Sequence, residues 1–283
     1  MSRNNEERSG ARQAAETPPS KMVSENETSP LDFTTPTEFV DLPSGGVYYS
    51  EDHPLHGKDS VEIRFMTAKD EDILTSKSLL KKGLAIDRLL QNIIVDRSIK
   101  LGDLLIGDKN ALVVAARVTG YGSEYVTRVT CPACAAVQEY QFDLDTGEHN
   151  IGGDHPDASE VGTGLWAVTC PKSNVEVTLG LLTGQDEKIM LQSQQRRKKQ
   201  KLPETAATEQ LKLIIRSVAG NTDSLTINKF VNIMPAHDAR YLRSVYEALM
   251  PNVNLDQDFE CVECGFDMEM EVPFTTDFFW PKR

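Results

Sequence analysis

The first clear pattern in the chain is alternation. Val61, Ile63 and Phe65 alternate with polar residues, the period of a half-buried strand. Upstream, Phe39, Val40 and Leu42 precede Pro43, Gly45 and Gly46, which predict a turn, and Val47, Tyr48 and Tyr49 then predict a second short strand. Past Phe65 the period changes. Thr67 is a helix N-cap candidate with Asp70 at the N3 position and Glu71 in the first turn. Ile73, Leu74, Leu79 and Leu80 follow, then Ile86, Leu89, Leu90 and Ile93 at i, i+3, i+4, i+7, so one long helix is expected, weakened or bent at Gly83. Ile99 to Ile106 reads as a connector. Asp108 is expected to cap a further helix carrying Ala111, Leu112, Val114, Ala115 and Val118, which Gly120 and Gly122 end.

Two similar units then stand far apart. Glu124 to Cys134 leads into the strand-like run Val137 to Leu144, and Gln257 to Phe266 leads into Asp267 to Phe274. Each reads strand, cysteine turn, strand. Between them lies an insert at 163–254. It opens with the strand-like runs Leu165–Val168 and Val175–Leu179, and a helix runs from Gln185 into Arg196-Arg197-Lys198-Lys199. Leu211, Ile214, Ile215 and Val218 predict another helix, as do Leu242, Val245, Tyr246 and Leu249, with Pro235 suited to the first turn of the latter. Asp145 to Gly162, rich in Gly, Asp and His, reads as the linker before the insert.

Residues 1–36 hold few branched aliphatics and no aromatic before Phe33, and so predict a disordered tail. The expected architecture is α+β: a small split β-ribbon (37–150 with the first half, 255–283 with the second) joined to a helical region, with an α+β domain inserted between the ribbon halves.

The 283 residues carry 30 Lys and Arg against 43 Asp and Glu, a net charge of −13 and a pI near 4.9. That balance argues against a general nucleic-acid binder and leaves room only for a local basic patch. No run approaches the roughly 18 apolar residues of a membrane helix, and Met1 to Pro30 contains no secretory apolar region, so the protein is expected to stay where it is made.

Five cysteines sharpen the picture. Cys131 and Cys134, and Cys261 and Cys264, form two C-x-x-C pairs, while Cys170 stands alone at the end of an apolar run and reads as a buried, inert thiol. An odd count without a signal peptide does not suit a secreted disulfide framework. Four thiolates meet the tetrahedral demand of Zn²⁺, and a tight turn after a strand points both sulfurs of a pair at one ion. The 126 residues between the pairs far exceed ordinary zinc-site spacing, so the matched strand context carries the argument. Cys131, Cys134, Cys261 and Cys264 are therefore the expected ligands of a structural Zn²⁺. Unpaired structural thiols and C-x-x-C redox chemistry stay open as alternatives, although a redox pair normally leads into a helix and both turns here lead into strands.

Other candidates are weaker. His53 and His56 beside Asp52, and His149 and His155 beside Asp154 and Asp157, read as solvated loop side chains, and His237 as a surface or capping residue. Asp70/Glu71 fits helix-start electrostatics, and Thr183 is a cap candidate for the helix holding Asp186/Glu187. No nucleophile elbow, zinc-protease motif, P-loop or dinucleotide fingerprint is present, so no enzyme class is indicated. The basic run Arg196 to Lys201 reads either as a solvated helix end leading into a loop at Pro203 or as a patch for phosphates or an acidic partner surface. Phe278, Phe279 and Trp280 either plug their own core or anchor on a partner.

The order of these features resembles the T4-type bacteriophage baseplate hub family. The resemblance runs from about Phe39 onward and rests on Phe65-Met66-Thr67-Ala68-Lys69-Asp70-Glu71, the matched cysteine pairs, Leu181-Leu182-Thr183-Gly184-Gln185-Asp186-Glu187 and Phe278-Phe279-Trp280-Pro281. It implies a non-enzymatic hub or hub-assembly role in a contractile-tailed phage, exercised through other hub or tail proteins. It places the protein in the host cytoplasm during assembly and in the tail baseplate where it is retained. A zinc-ribbon nucleic-acid-binding or regulatory adaptor using Arg196–Lys201 is the second expectation, and a C-x-x-C oxidoreductase the third.

Overall fold

The computed structural model describes residues 35–145, 149–203, 205–273 and 278–279. The expected tail lies almost wholly outside them. β1 (Thr37–Asp41) and β2 (Ser60–Arg64) pair antiparallel, with Val40 opposite Val61 and both side chains buried. Between them, Val47 to Tyr49 forms turns rather than the expected strand. The backbone there serves a different partner: Ser44 donates through its N–H (2.9 Å) and Oγ (2.6 Å), and Tyr49 through its hydroxyl (2.7 Å), to the buried carboxylate of Asp108. Gly46 makes this path possible. Its φ of +73° is left-handed, and a Cβ would fall 2.3 Å from the Lys58 carbonyl oxygen.

The expected long helix is three. α1 (Ala68–Thr75) begins at the predicted cap, where Asp70 Oδ2 accepts from Thr67 N–H at 2.9 Å. α2 (Lys77–Lys82) ends at Gly83, whose φ of +67° closes the helix instead of bending it, and α3 (Ala85–Ile93) buries Leu89, Leu90 and Ile93. α4 (Ile106–Tyr121) is the central helix. It starts two residues before Asp108, which serves Ser44 and Tyr49 rather than capping its own helix. Its neighbour Lys109 is buried too, ion-paired with Asp87 (2.6 Å) on α3 and with Glu187 (2.5 Å).

The first cysteine hairpin is β3 (Glu124–Thr130) with β4 (Val137–Asp143). β5 (His149–Asn150) follows. Then β6 (Ala158–Gly162), β7 (Leu165–Thr169), β8 (Glu176–Gly180) and β9 (Ile215–Val218) make a four-stranded antiparallel sheet in that order. Two expectations change here. The segment read as a linker supplies β6. The helix expected through Val218 stops at Ile214 as α6 (Ala206–Ile214), and Ile215 to Val218 pair with β8. The spacing Leu211, Ile214, Ile215, Val218 suits a helix, but β-branched residues beside an open sheet edge are claimed by the sheet.

α5 (Gly184–Lys199) starts at Thr183, capped as expected, and α7 (Ser224–Ile233), absent from the sequence-based expectation, buries only Ile227 and Val231. α8 (Ala236–Leu249) begins after Pro235 and buries Leu242, Val245, Tyr246 and Leu249. β10 (Asn252–Val253) pairs with β5, so the two ends of the inserted segment meet directly. β11 (Asp256–Glu260) and β12 (Asp267–Glu271) form the second cysteine hairpin.

Phe278 and Phe279 are buried at 3% and 2% exposure, with Phe278 edge-on to Tyr125. Arg117 of α4, itself buried, donates from Nε to the Phe278 carbonyl at 2.6 Å. These two aromatics plug the protein's own core and are not free to anchor a partner; Trp280 lies outside the described residues.

Candidate metal centre

Each cysteine turn is built by its hairpin. In the first, Cys131 N–H donates to the Ala136 carbonyl (2.8 Å) and Ala135 N–H to the Cys131 carbonyl (2.9 Å), which brings Ala135 to a φ of +59°. The second repeats this: Cys261 N–H to Phe266 (2.9 Å), Gly265 N–H to Cys261 (2.8 Å), and Gly265 at φ +66°. Glycine suits that left-handed position, so the residue after the second pair has a physical reason to be there.

The hairpins are locked face to face by side chains that bond to the opposite backbone. Gln138 donates to the Glu260 carbonyl and accepts from Val262 N–H, both at 3.0 Å. Tyr140 donates to the Asp258 carbonyl at 2.7 Å, and Gln257 Oε1 accepts from Asp143 N–H at 3.0 Å. Tyr125, Phe142, Tyr140 and Phe259 pack in sequence between them with tilted rings, centroids 5.0 to 6.5 Å apart. None of these bridging polar residues carries a signal of its own in the sequence; only their position on the inward-facing alternation marks them.

The lock brings the four predicted cysteines together. Their sulfurs all lie within 4.8 Å of one another, with Cys131 3.8 Å from Cys264 and Cys134 3.7 Å from Cys261. A tetrahedron with metal–sulfur arms of about 2.3 Å has edges of about 3.8 Å, so the set fits one Zn²⁺-sized ion with no open position. Cys131 and Cys261 are buried while Cys134 and Cys264 face solvent, so the site sits at the surface. Its electrostatics also favour a cation. The Cys131 thiol is drawn down to about 7 by the backbone N–H groups of Cys134 and Ala133. Cys264 is pushed up to about 12: the Phe266 amide lowers it, but burial and the three neighbouring thiols outweigh that. Four thiolates cannot coexist here without a positive ion between them.

The second hairpin makes the same point on its outer face. Asp256 stands opposite Glu271, Asp258 opposite Glu269 and Glu260 opposite Asp267, all exposed. Directly opposed like charges destabilise a hairpin, so β11–β12 leans on the contacts it makes with its partner hairpin.

Other candidates separate. Among the described residues no other group of three or more metal-ligating side chains is assembled. His53 stacks on Tyr49 at 4.3 Å and accepts from Leu55 N–H, and His155 accepts from Asp157 N–H. Cys170 is buried, as expected of a structural thiol. Arg196 to Lys199 fill the last turn of α5, where positive charge offsets the helix dipole, so the run is explained without phosphate.

The sequence profile of the family described as T4 bacteriophage base plate protein matches residues 37–280. The chain belongs to that family. Both hairpins, the intervening sheet and α4 all fall inside the matched span of the base plate family. No curated protein and no solved structure matches the chain. Membership suggests a structural role in the phage tail and implies contacts with other tail or baseplate proteins. Among the described residues, no helix of this base plate protein is long and apolar enough to cross a membrane.

Proposed function

We propose that the protein is a non-enzymatic component or assembly factor of the baseplate hub of a contractile-tailed phage, with Cys131, Cys134, Cys261 and Cys264 holding a structural Zn²⁺ in a split zinc ribbon. The family match across residues 37–280 carries the tail assignment, and the tetrahedral spacing of the sulfurs supports the metal. The ion supplies a crosslink between hairpins that lie 126 residues apart, and so couples metal binding to folding. It acts at the turn ends of the two hairpins, a strand's length away from the open ends where the intervening segment leaves after Asp143 and rejoins before Asp256. Phe278 and Phe279 are internal, which leaves the N-terminal segment and Trp280 as the candidate contact elements.

Three measurements test this. Elemental analysis of the purified protein is expected to give one zinc per chain; an intact, metal-free protein with four free thiols would remove the ribbon. Phage lacking the gene are expected to accumulate unfinished tails, and mass spectrometry of finished particles then separates a resident component from an assembly factor. Normal tails without the gene would overturn the hub reading.

A further inference from the structure

The β7–β8 hairpin turns in the same way as the two cysteine hairpins. Cys170 N–H donates to the Val175 carbonyl (2.9 Å), Asn174 N–H donates to the Cys170 carbonyl (3.0 Å), and Asn174 sits at a φ of +55°. These are the bonds and the left-handed residue of Cys131 to Ala136 and of Cys261 to Phe266, position for position. The residues match as well: Val168-Thr169-Cys170-Pro171 repeats Val129-Thr130-Cys131-Pro132. The difference that matters is one side chain, because Ser173 stands where Cys134 and Cys264 stand.

A turn of this kind converges its backbone N–H groups on one point, and an anion belongs there. In the first hairpin the N–H groups of Ala133 and Cys134 meet the Cys131 sulfur. In the third, those of Lys172 and Ser173 meet the carboxylate of Asp238 instead, at 2.8 Å to Oδ1 and 2.9 Å to Oδ2. Asp238 comes from the first turn of α8 and is fully buried. Burial alone would raise its titration, but the hydrogen bonds from Ser173 and Lys172 and the nearby His237 hold it below the usual carboxylate range. Burial pushes the Cys170 thiol up. The chemistry is consistent: a thiolate needs a metal to stay charged in such a place, whereas a carboxylate needs only donors.

We infer that residues 165–180 form a third knuckle, one without metal, in which the Asp238 carboxylate is the anion that the turn's amides bind and α8 is thereby latched to the sheet. The inference rests on the proposed metal site only for its comparison, since the Asp238 contacts exist whatever the four cysteines hold. It makes closure of the inserted sheet independent of metal.

Amide hydrogen exchange on the full-length protein tests it. In Asp238→Ala the amides of Lys172 and Ser173, with the first turn of α8, are expected to exchange on the order of tenfold to hundredfold faster, while the two cysteine hairpins keep their protection. Asp238→Asn preserves shape should the alanine variant not fold, and is expected to expose one of the two amides. Cys170→Ala is expected to leave both protected, because its sulfur is not the acceptor. Stripping metal with a chelator is expected to deprotect the cysteine hairpins and leave 170–175 unchanged. Unchanged exchange at Lys172 and Ser173 in both Asp238 variants, equal loss in Cys170→Ala, or joint deprotection on chelation would each overturn the inference. Absence of zinc with the latch intact would instead count against the ribbon alone.

Discussion

The cysteine hairpins and the helical region around α4 solve the same problem with different materials. Around α4 the chain has apolar mass to spare: Leu89, Leu90, Ile93, Leu104 and Leu112 are all fully buried. It can therefore enclose charged side chains and use them as rivets. Asp70 joins Arg64, Asn92 and the start of α1; Asp108 gathers Ser44 and Tyr49; Lys109 joins α3 to α5; Arg117 ties α4 to Phe278. The hairpins bury a narrower inner face, Tyr125, Val129, Phe142, Phe259 and Val272, and the second carries an outer face of opposed acids. Every charged side chain on their four strands is exposed, and four clustered sulfurs stand where the helical region has its rivets. The form of crosslink follows the amount of apolar surface available to surround it.

The two regions should part most visibly at the sulfurs. Cys131→Ser or Cys261→Ser, or chelation of the wild type, is expected to abolish the hairpins' own unfolding transition while the helical region still melts cooperatively. Calorimetry beside a zinc assay reads both, and a single shared transition that falls as a whole would show the two regions to be one unit. Next in size is Arg117→Met. It removes donors from the carbonyls of Phe278, Gly122 and Glu124 and should cost about 3 kcal/mol in urea titration, with metal content unchanged.

A smaller effect is expected for Asp70→Asn, about 2 kcal/mol at neutral pH. Burial would raise the Asp70 carboxyl, but Arg64, Thr67 and Asn92 hold it well below the ordinary carboxylate range. Its contribution is thus complete above the unfolded value near 4 and is lost as pH falls through the lower folded value. Wild type and variant should converge in acid-denaturation curves; a gap that persists there would mean packing rather than charge. Smallest is Glu269→Lys, which replaces a repulsive pair with Asp258 by an attractive one. It should stabilise the second hairpin by about 0.5 kcal/mol, by an amount that shrinks with added salt.

What could be read from the residues alone was local. Thr67 with Asp70, Thr183 with Asp186 and the two C-x-x-C turns each act within a few positions, so spacing reveals them. The rivets were not legible, because Asp108 meets Ser44 across 64 positions and Asp238 meets Lys172 across 66, and the local pattern, which offered Asp108 as a cap for its own helix, marks neither partner. The helix expected through 215–218 failed for a related reason: Ile215 and Val218 satisfy a helical spacing and a strand edge equally, and only β8 decides. The third turn had a visible signal in the repeated Val-Thr-Cys-Pro, masked by the serine three positions after its cysteine.

The 126 residues between the cysteine pairs also impose an order in time. During synthesis the first hairpin emerges with two thiols and no partner, and it waits as half a site while α5 to α8 and their sheet are made. A free loop of that length would close slowly, but folding of the insert shortens it by pairing β5 with β10 and so delivers Cys261 and Cys264 to the waiting pair. Under the proposed metal site, occupancy of the four sulfurs would record that the segment between them has already folded.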